Sequence, residues 1–181
     1  RKASIQKINT KIKNKVLKKY TSLLDKEKNS IFKANAKDIN FALKKNLKDN
    51  LLDRLILNQK KLNDIKSSIK RIIKLKDPVD KILEKWSRPN GLKIKRVSIP
   101  IGVIGVIYES RPNVTSDVAC LCFKSGNAVI LKGGSEAINT NKILAKLFRK
   151  ALKENKVNED FIQFVDSKDK KMVDLMLSNM K

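Results

Sequence analysis

Residues 128–131 form a short apolar run typical of a buried strand, and Lys132 stands at its end. In nucleotide-binding sheets, the second strand usually ends in an acid that accepts a ribose 2′-hydroxyl and repels a 2′-phosphate. Here a cation is followed by Gly133 and Gly134, which let a ligand approach the backbone, so the pattern predicts an NADPH site. A solvated lysine after a strand fits the same residues equally well.

Ser135 and Glu136 extend this candidate cofactor site. A serine just before a helix can cap it, and the helix amides then face an anion such as a phosphate. Glu136 has two interpretations: it accepts a hydrogen bond from a ribose hydroxyl, or it is a first-turn carboxylate favoured by the helix dipole.

A second group of candidates follows the preceding predicted strand, residues 103–108. Ligands of open α/β sheets bind beyond the carboxyl ends of the strands, so Tyr108, Glu109 and Ser110 are expected beside the cofactor. Arg111, in the same loop, can hold a phosphate or carboxylate through two parallel hydrogen bonds. It is therefore our candidate for substrate binding.

The chain has two cysteines, Cys120 and Cys122, within one predicted helix. Residues two apart on a helix point roughly 200° apart, so this pair suits neither a disulfide nor a zinc site. The chain has no histidine, so its own residues cannot form a Cys–His pair. We predict no metal site, and this use of cysteine fits a reducing cytoplasm.

The net charge of +24 is typical of proteins that bind nucleic acids, because clustered Lys and Arg attract phosphates. The cations are mostly lysines spread over every predicted helix, however, and the few aromatic residues do not alternate with them. We therefore expect no nucleic-acid partner. No apolar run approaches the roughly 20 residues that span a bilayer, and no signal peptide is evident, so we expect a cytoplasmic protein with no membrane partner.

Helical periodicity dominates residues 1–78, the first predicted domain. Thr10 is expected to cap a first helix, and a second helix starts after Asp25. A short helical turn around residues 51–55 precedes a long helix that Asn58 caps and that Asp77-Pro78 ends.

Residues 79–99 form the second predicted unit, a β-hairpin. Its arms, 80–87 and 92–99, flank Pro89-Asn90-Gly91, and Asn-Gly is the strongest short-range hairpin signal. Charged residues alternate with apolar ones in the second arm, so the ribbon is expected to project from the body. A solvated ribbon and an arm that pairs subunits into a homo-oligomer are both consistent with this pattern.

Residues 100–181 alternate strand and helix, which predicts an α/β fold with a Rossmann-like parallel sheet of βαβαβα order. Strands are expected at 103–108, 128–131 and 161–165, and helices at 112–124, after 135 and at 170–180. The first strand is a continuous apolar run typical of a strand buried on both faces. Because three strands leave an open sheet edge, we expect further sheet beyond Lys181.

Two long sequence segments lie between Pro100 and Ala137: PIGVIGVIYESRPNVTSDVA and LCFKSGNAVILKGGSEA. Shorter ones are KANAKDI at 33–39, LLDRL at 51–55 and LKDP at 75–78. Together they resemble gamma-glutamyl phosphate reductase, the proline-pathway member of the aldehyde dehydrogenase superfamily. The resemblance covers nearly the whole chain.

The resemblance implies NADPH-dependent reduction of L-glutamate 5-phosphate to the 5-semialdehyde, with release of phosphate, in proline biosynthesis. In that family a cysteine thiolate attacks the acyl phosphate, and hydride then reduces the thioester. The family's cysteine lies in a separate domain downstream of the matched region. The chain is therefore expected to be an N-terminal portion that lacks the nucleophile and is inactive alone. Glutamate 5-kinase is an expected protein partner.

Superfamily members also use an asparagine after the first strand to stabilise an oxyanion. Asn113 is the catalytic candidate, but alignment on the proline places Ser110 there, and Asn113 also suits a helix start. Lys132 and Glu136 match the superfamily's adenosine-ribose contacts, with one more residue between them than usual. The alternative from another functional class is a nucleotide-binding or assembly module without catalysis.

Overall fold

The computed structural model of the chain describes residues 8–167, 169 and 171–178. Its helices are α1 (Thr10–Lys26), α2 (Lys28–Lys44), α3 (Asp49–Leu55), α4 (Gln59–Lys74), α5 (Pro112–Lys124), α6 (Ile138–Glu154) and α7 (Lys171–Ser178). Its strands are β1 (Ile82–Ser87), β2 (Lys93–Val97), β3 (Val103–Ile107), β4 (Ala128–Lys132) and β5 (Ile162–Phe164), and single 3₁₀ turns cover Ser135–Ala137 and Glu159–Phe161. Helix α7 corresponds to the predicted last helix, of which residues 170, 179 and 180 lie outside the described residues.

Of the two helix caps predicted in the N-terminal part, one is confirmed and one is wrong. Asn58 caps α4 as predicted, since its side chain accepts a hydrogen bond from the Lys61 amide at 2.9 Å. The predicted Thr10 cap is wrong, because Asn9 caps α1 by accepting from the amide of Ile12. Thr10 is the first helical residue, and its hydroxyl donates to Asp77 at 2.8 Å.

Helix α4 ends at Lys74, three residues before the predicted stop at Asp77. Asp77 instead lies in the connection to the hairpin, where it accepts a hydrogen bond at 2.9 Å from the buried ammonium group of Lys13. This contact fixes the end of the helical segment against α1.

Strands β1 and β2 form the predicted antiparallel hairpin, with Trp86 opposite Ile94. The amide of Gly91 donates to Arg88 O, and Gly91 has a φ of +81°, which glycine adopts without steric cost. The Arg88 amide in turn donates to Leu92 O, as in a turn followed by a one-residue bulge. Nearly every residue of both strands is exposed, so the ribbon projects from the body.

Strands β3, β4 and β5 form the predicted parallel sheet in that spatial order. Ile104 and Val106 of β3 pack against the hydrophobic core on one face. On the other face Val103 is 59% exposed and Ile107 44%, so the prediction of a first strand buried on both faces is wrong. The hydrophobic core covers only the face with Ile104 and Val106, so the alternate residues of the strand stay open.

The N-terminal helices and the parallel sheet share one hydrophobic core. The ring of Tyr20 on α1 lies 4.7 Å from that of Phe148 on α6, and Phe148 meets Phe123 on α5 edge to face at 5.7 Å. The Tyr20 hydroxyl is hydrogen-bonded to Ser116 at 2.7 Å, which satisfies its polar end inside the core. No helix within the described residues has the length and apolar character needed to cross a bilayer.

Candidate nucleotide and substrate sites

The carboxyl ends of β3 and β4 meet at one edge of the sheet. The Tyr108 amide donates to Lys132 O at 3.1 Å, which extends the ladder by one residue. Beyond it, the Ser110 hydroxyl donates to a carboxylate oxygen of Glu136 at 2.7 Å. The two predicted groups of cofactor residues are therefore in direct contact with each other.

Gly133 and Gly134 are required by the packing of these loops. A Cβ at Gly133 would lie 2.3 Å from Nδ2 of Asn141 and 3.0 Å from the Tyr108 ring. A Cβ at Gly134 would lie 2.2 Å from Oγ of Ser110. Because the chain itself fills the space beside both glycines, their contact with a cofactor stays a prediction.

Lys132 is only 7% exposed, and its ammonium group donates to the carbonyl of Gly133 at 3.1 Å. Among the described residues no carboxylate lies within ion-pair distance of it, so its charge is not neutralised locally. A buried cation with one neutral acceptor can gain from a second, anionic partner.

Glu136 is held as an ionised acceptor. Partial burial raises the pKa of its carboxyl, but hydrogen bonds from Ser135 and Ser110, both at 2.7 Å, outweigh that effect and hold the pKa below its ordinary value. Both carboxylate oxygens already accept hydrogen bonds from these hydroxyls.

Tyr108 is fixed by a chain of hydroxyl contacts. Its hydroxyl donates to Thr115 at 2.8 Å, because the Thr115 hydroxyl in turn donates to Oδ1 of Asn141 at 2.8 Å. Burial raises the pKa of Tyr108 to about 12, so this phenol stays protonated at neutral pH. The ring therefore acts as a rigid wall beside Gly133.

The predicted helix cap by Ser135 is wrong. Ser135 lies in the 3₁₀ turn and donates to Glu136, and α6 begins after Ala137 without a side-chain cap from its own segment. The anion at this helix start is Asp38 of α2, which accepts hydrogen bonds from the amides of Asn139 at 3.1 Å and Thr140 at 2.7 Å. These two amides are consequently not free to bind a ligand phosphate.

A cavity of about 620 Å³ lies between α3, α4 and the first turns of α5. Arg111 and Asn113, the substrate and catalytic candidates, both line it. None of the candidates at 108–110 and 132–136 lines it, so the structure separates the predicted site residues into two neighbouring groups.

The cavity wall carries both signs of charge. Its cations are Arg54, Lys61, Arg71 and Arg111. Its acids are Asp53, Asp64 and Asp117. Glu109, a predicted cofactor residue, is exposed and lies 3.3 Å from the guanidinium groups of both Arg54 and Arg111, which it links.

Asp117 is a residue that the sequence analysis missed. It lies one helical turn after Asn113, so both point to the same side of α5. Its Oδ1 atom is buried without a hydrogen-bond partner in the structure, which is rare for a carboxylate oxygen. In the sequence it is the single acid of a helix that mixes polar and apolar residues, a weak signal.

Neither cysteine is suited to nucleophilic attack. Burial raises the pKa of the Cys120 thiol well above its ordinary value, and the neighbouring Asp117 raises it further. Burial also raises the pKa of Cys122, so neither thiol ionises readily at neutral pH. Among the described residues no group of acidic or sulfur ligands could hold a metal ion.

Relatives of the chain are named gamma-glutamyl phosphate reductase. The protein of that name from Persephonella marina is 46% identical over 174 residues, which are 96% of this chain and 39% of the relative. The crystal structure of the Thermotoga maritima protein of that name superposes with a TM-score of 0.92 at 41% identity, over 96% of this chain and 42% of that one. No family model matches the chain.

A more distant likeness concerns the fold alone. A probable aldehyde dehydrogenase from Listeria monocytogenes superposes with a TM-score of 0.66 at 12% identity, over 96% of this chain and 35% of that one. The chain is thus a homologue of gamma-glutamyl phosphate reductase with an aldehyde dehydrogenase-like fold, and it spans about two fifths of the length of the curated relatives it matches.

Proposed function

We propose that this chain supplies nucleotide- and substrate-binding parts of an enzyme that reduces L-glutamate 5-phosphate to the 5-semialdehyde with NADPH and releases phosphate, in proline biosynthesis. The observation that carries the proposal is the 46% identity to a gamma-glutamyl phosphate reductase over 96% of the chain. The acyl-phosphate chemistry needs a thiolate, and both cysteines here are buried. The nucleophile therefore lies outside these 181 residues, and the chain is inactive alone.

NADPH, when bound, supplies the hydride. Lys132 fits its 2′-phosphate, because the ammonium group has no carboxylate partner among the described residues, and Glu136 is an ionised acceptor for a ribose hydroxyl. Arg111 binds the phosphate or carboxylate of the substrate from the loop after β3. Asn113 is exposed at the start of α5, where its amide can donate to a developing oxyanion.

The hairpin is the proposed arm for pairing subunits into a homo-oligomer. Apolar side chains lie exposed along it: Ile82, Leu83, Trp86, Leu92 and Val97. Such a surface on a projecting ribbon is favoured when a second copy covers it. Glutamate 5-kinase as a further protein partner stays a prediction.

A chimera tests the enzymatic proposal. This chain would replace the matched 42% of the Thermotoga maritima protein, whose structure it superposes on over 96% of its length. We expect the chimera to reduce NADP⁺ when it is given glutamate 5-semialdehyde and phosphate, the reverse of the proposed reaction. A folded chimera without this activity, beside an active parent protein, would refute the proposal.

A further inference from the structure

We infer that the cavity between α3, α4 and α5 is the binding site for the amino-acid end of the substrate, with separate groups for its carboxylate and its ammonium. This inference rests on the proposed function and deepens it. Its ligand class is a small dipolar amino acid that carries an additional anionic group.

Helix α4 supplies one wall of the cavity through a stripe of side chains at helical spacing. Lys61, Asp64, Ser68 and Arg71 recur at intervals of three or four residues and therefore share one face. Arg71 has no ion-pair partner among the described residues, so its guanidinium is available to a ligand carboxylate. A planar guanidinium binds a carboxylate through two parallel hydrogen bonds, which fixes the ligand in one orientation.

Helix α5 supplies the complementary acid of the cavity. The buried Oδ1 of Asp117 lacks a hydrogen-bond donor, and leaving such an atom unpaired costs stability. Asp117 lines the cavity, so a turn of its carboxyl group brings this oxygen to a ligand ammonium, which carries three donors and a positive charge. A sugar has only neutral groups and a purely anionic ligand has only negative ones, so neither offers a positive charge to Asp117.

The balance of charges selects the class of ligand. Three arginines and a lysine face three aspartates across one cavity of about 620 Å³, a volume within the usual range for small-molecule sites. A ligand with only anionic groups would pair with Arg71 and leave Asp117 without a cation. An amino acid with a second anionic group offers an ammonium to Asp117 and a carboxylate to Arg71, the arginine of the cavity that has no ion-pair partner among the described residues.

The position of the cavity orients the ligand. Arg111 and Asn113 directly follow the loop at the carboxyl end of β3, beside the proposed nucleotide residues. Asp117 lies one turn further along α5, away from that loop. The reacting acyl phosphate is thus assigned to the wall with Arg111, and the amino-acid end to Asp117 and Arg71.

A panel of three ligands on the unchanged chain tests this directly by titration calorimetry. The probes are L-glutamate, glutarate, which lacks the ammonium, and 4-aminobutyrate, which lacks the α-carboxylate. We expect L-glutamate to bind about tenfold more tightly than either of the others, as the loss of one charged contact implies. Equal affinities for the three, or no binding of L-glutamate at millimolar concentration, would overturn the inference.

Two variants then assign the contacts. Asp117→Asn is expected to weaken L-glutamate about tenfold and leave glutarate unchanged, whereas Arg71→Gln should weaken both. Arg88→Gln in the hairpin turn and Asp174→Asn in α7 are matched controls outside the cavity. If Asp117→Asn weakens L-glutamate and glutarate equally, the ammonium is not bound at Asp117.

A parallel titration with NADPH separates this inference from the proposed function. A chain that binds NADPH but not L-glutamate would refute the cavity assignment alone. A chain that binds L-glutamate with the expected selectivity but not NADPH would support the cavity and contradict the nucleotide-binding part of the proposed function.

Discussion

The carboxylate of Asp38 accepts hydrogen bonds from both the amide and the hydroxyl of Thr140, at 2.7 and 2.6 Å. Its other oxygen accepts from the amide and side chain of Asn139. Asp38 belongs to α2 and lies 102 positions before Thr140, yet it accepts hydrogen bonds from the first free amides of α6. This contact fixes the helix that follows the proposed nucleotide loop.

Removing this carboxylate is expected to destabilise the whole fold. Asp38→Ala leaves the buried amide of Thr140 and the part-buried amide of Asn139 without an acceptor, so we expect the free energy of unfolding to fall by about 3 kcal/mol. Urea denaturation followed by circular dichroism measures the change. The control is Asp25→Ala, which removes an exposed ion pair with Lys66 and should cost less than about 1 kcal/mol. Equal losses for the two variants would contradict the role of Asp38.

The long-range contacts of Asp38 could not be predicted from the sequence. The segment KANAKDI resembles the family, and its buried residues Asn35 and Asp38 have a structural role. Asn35 donates to Leu55 O and accepts from the Leu57 amide, so it ties α2 to the segment after α3. Local patterns predict elements and their caps, as at Asn58, but they do not say which distant helix an acid will reach.

The same limit applies to the sheet and to the cavity. The apolar run at 103–107 predicts a strand, but only the tertiary packing shows that one of its faces meets the core and the other stays open. The loop after the first strand predicts Arg111 and the family resemblance predicts Asn113, and both residues line the cavity. Asp117 and Arg71 join them only through the packing of α4 on α5, which no local pattern specifies.

Gly134→Ala tests the close packing of the strand loops. The added Cβ would lie 2.2 Å from Oγ of Ser110, while the φ of −60° at this position suits alanine. We therefore expect a loss of about 1–3 kcal/mol from overpacking, measured by urea denaturation. Adding Ser110→Ala should restore part of this stability, because it removes the clashing oxygen. No rescue in the double variant would contradict the proposed clash.

Asp77 should make the stability depend on acid pH. Partial burial raises the pKa of this carboxyl, but hydrogen bonds from Lys13, Thr10 and the Val79 amide lower it below its ordinary value of 3.8. A depressed pKa in the folded state stabilises the protein above the unfolded value, and this contribution is lost as the pH falls through the folded pKa. As the pH falls below about 4, the free energy of unfolding should therefore decrease less for Asp77→Asn than for the unchanged chain. Parallel pH profiles of unfolding for the two proteins would rule this out.

The hairpin gives a prediction for assembly. Leu83 and Leu92 are exposed on the ribbon, and a charge at each should disfavour burial against a second copy. We expect the double change to lysine to shift the mass measured by light scattering toward that of a monomer. Lys93→Glu, on the charged positions of the same ribbon, is the control and should leave the mass unchanged. A monomeric unchanged chain would contradict a pairing role for the isolated ribbon.

The most direct test of the nucleotide site compares NADPH with NADH, because the two differ only in the 2′-phosphate. Lys132→Met keeps the length of this buried side chain and removes its charge. We expect the dissociation constant for NADPH, measured by nucleotide fluorescence, to rise about tenfold and that for NADH to stay unchanged. Equal changes for the two nucleotides, or none for either, would contradict the assignment of Lys132 to the cofactor.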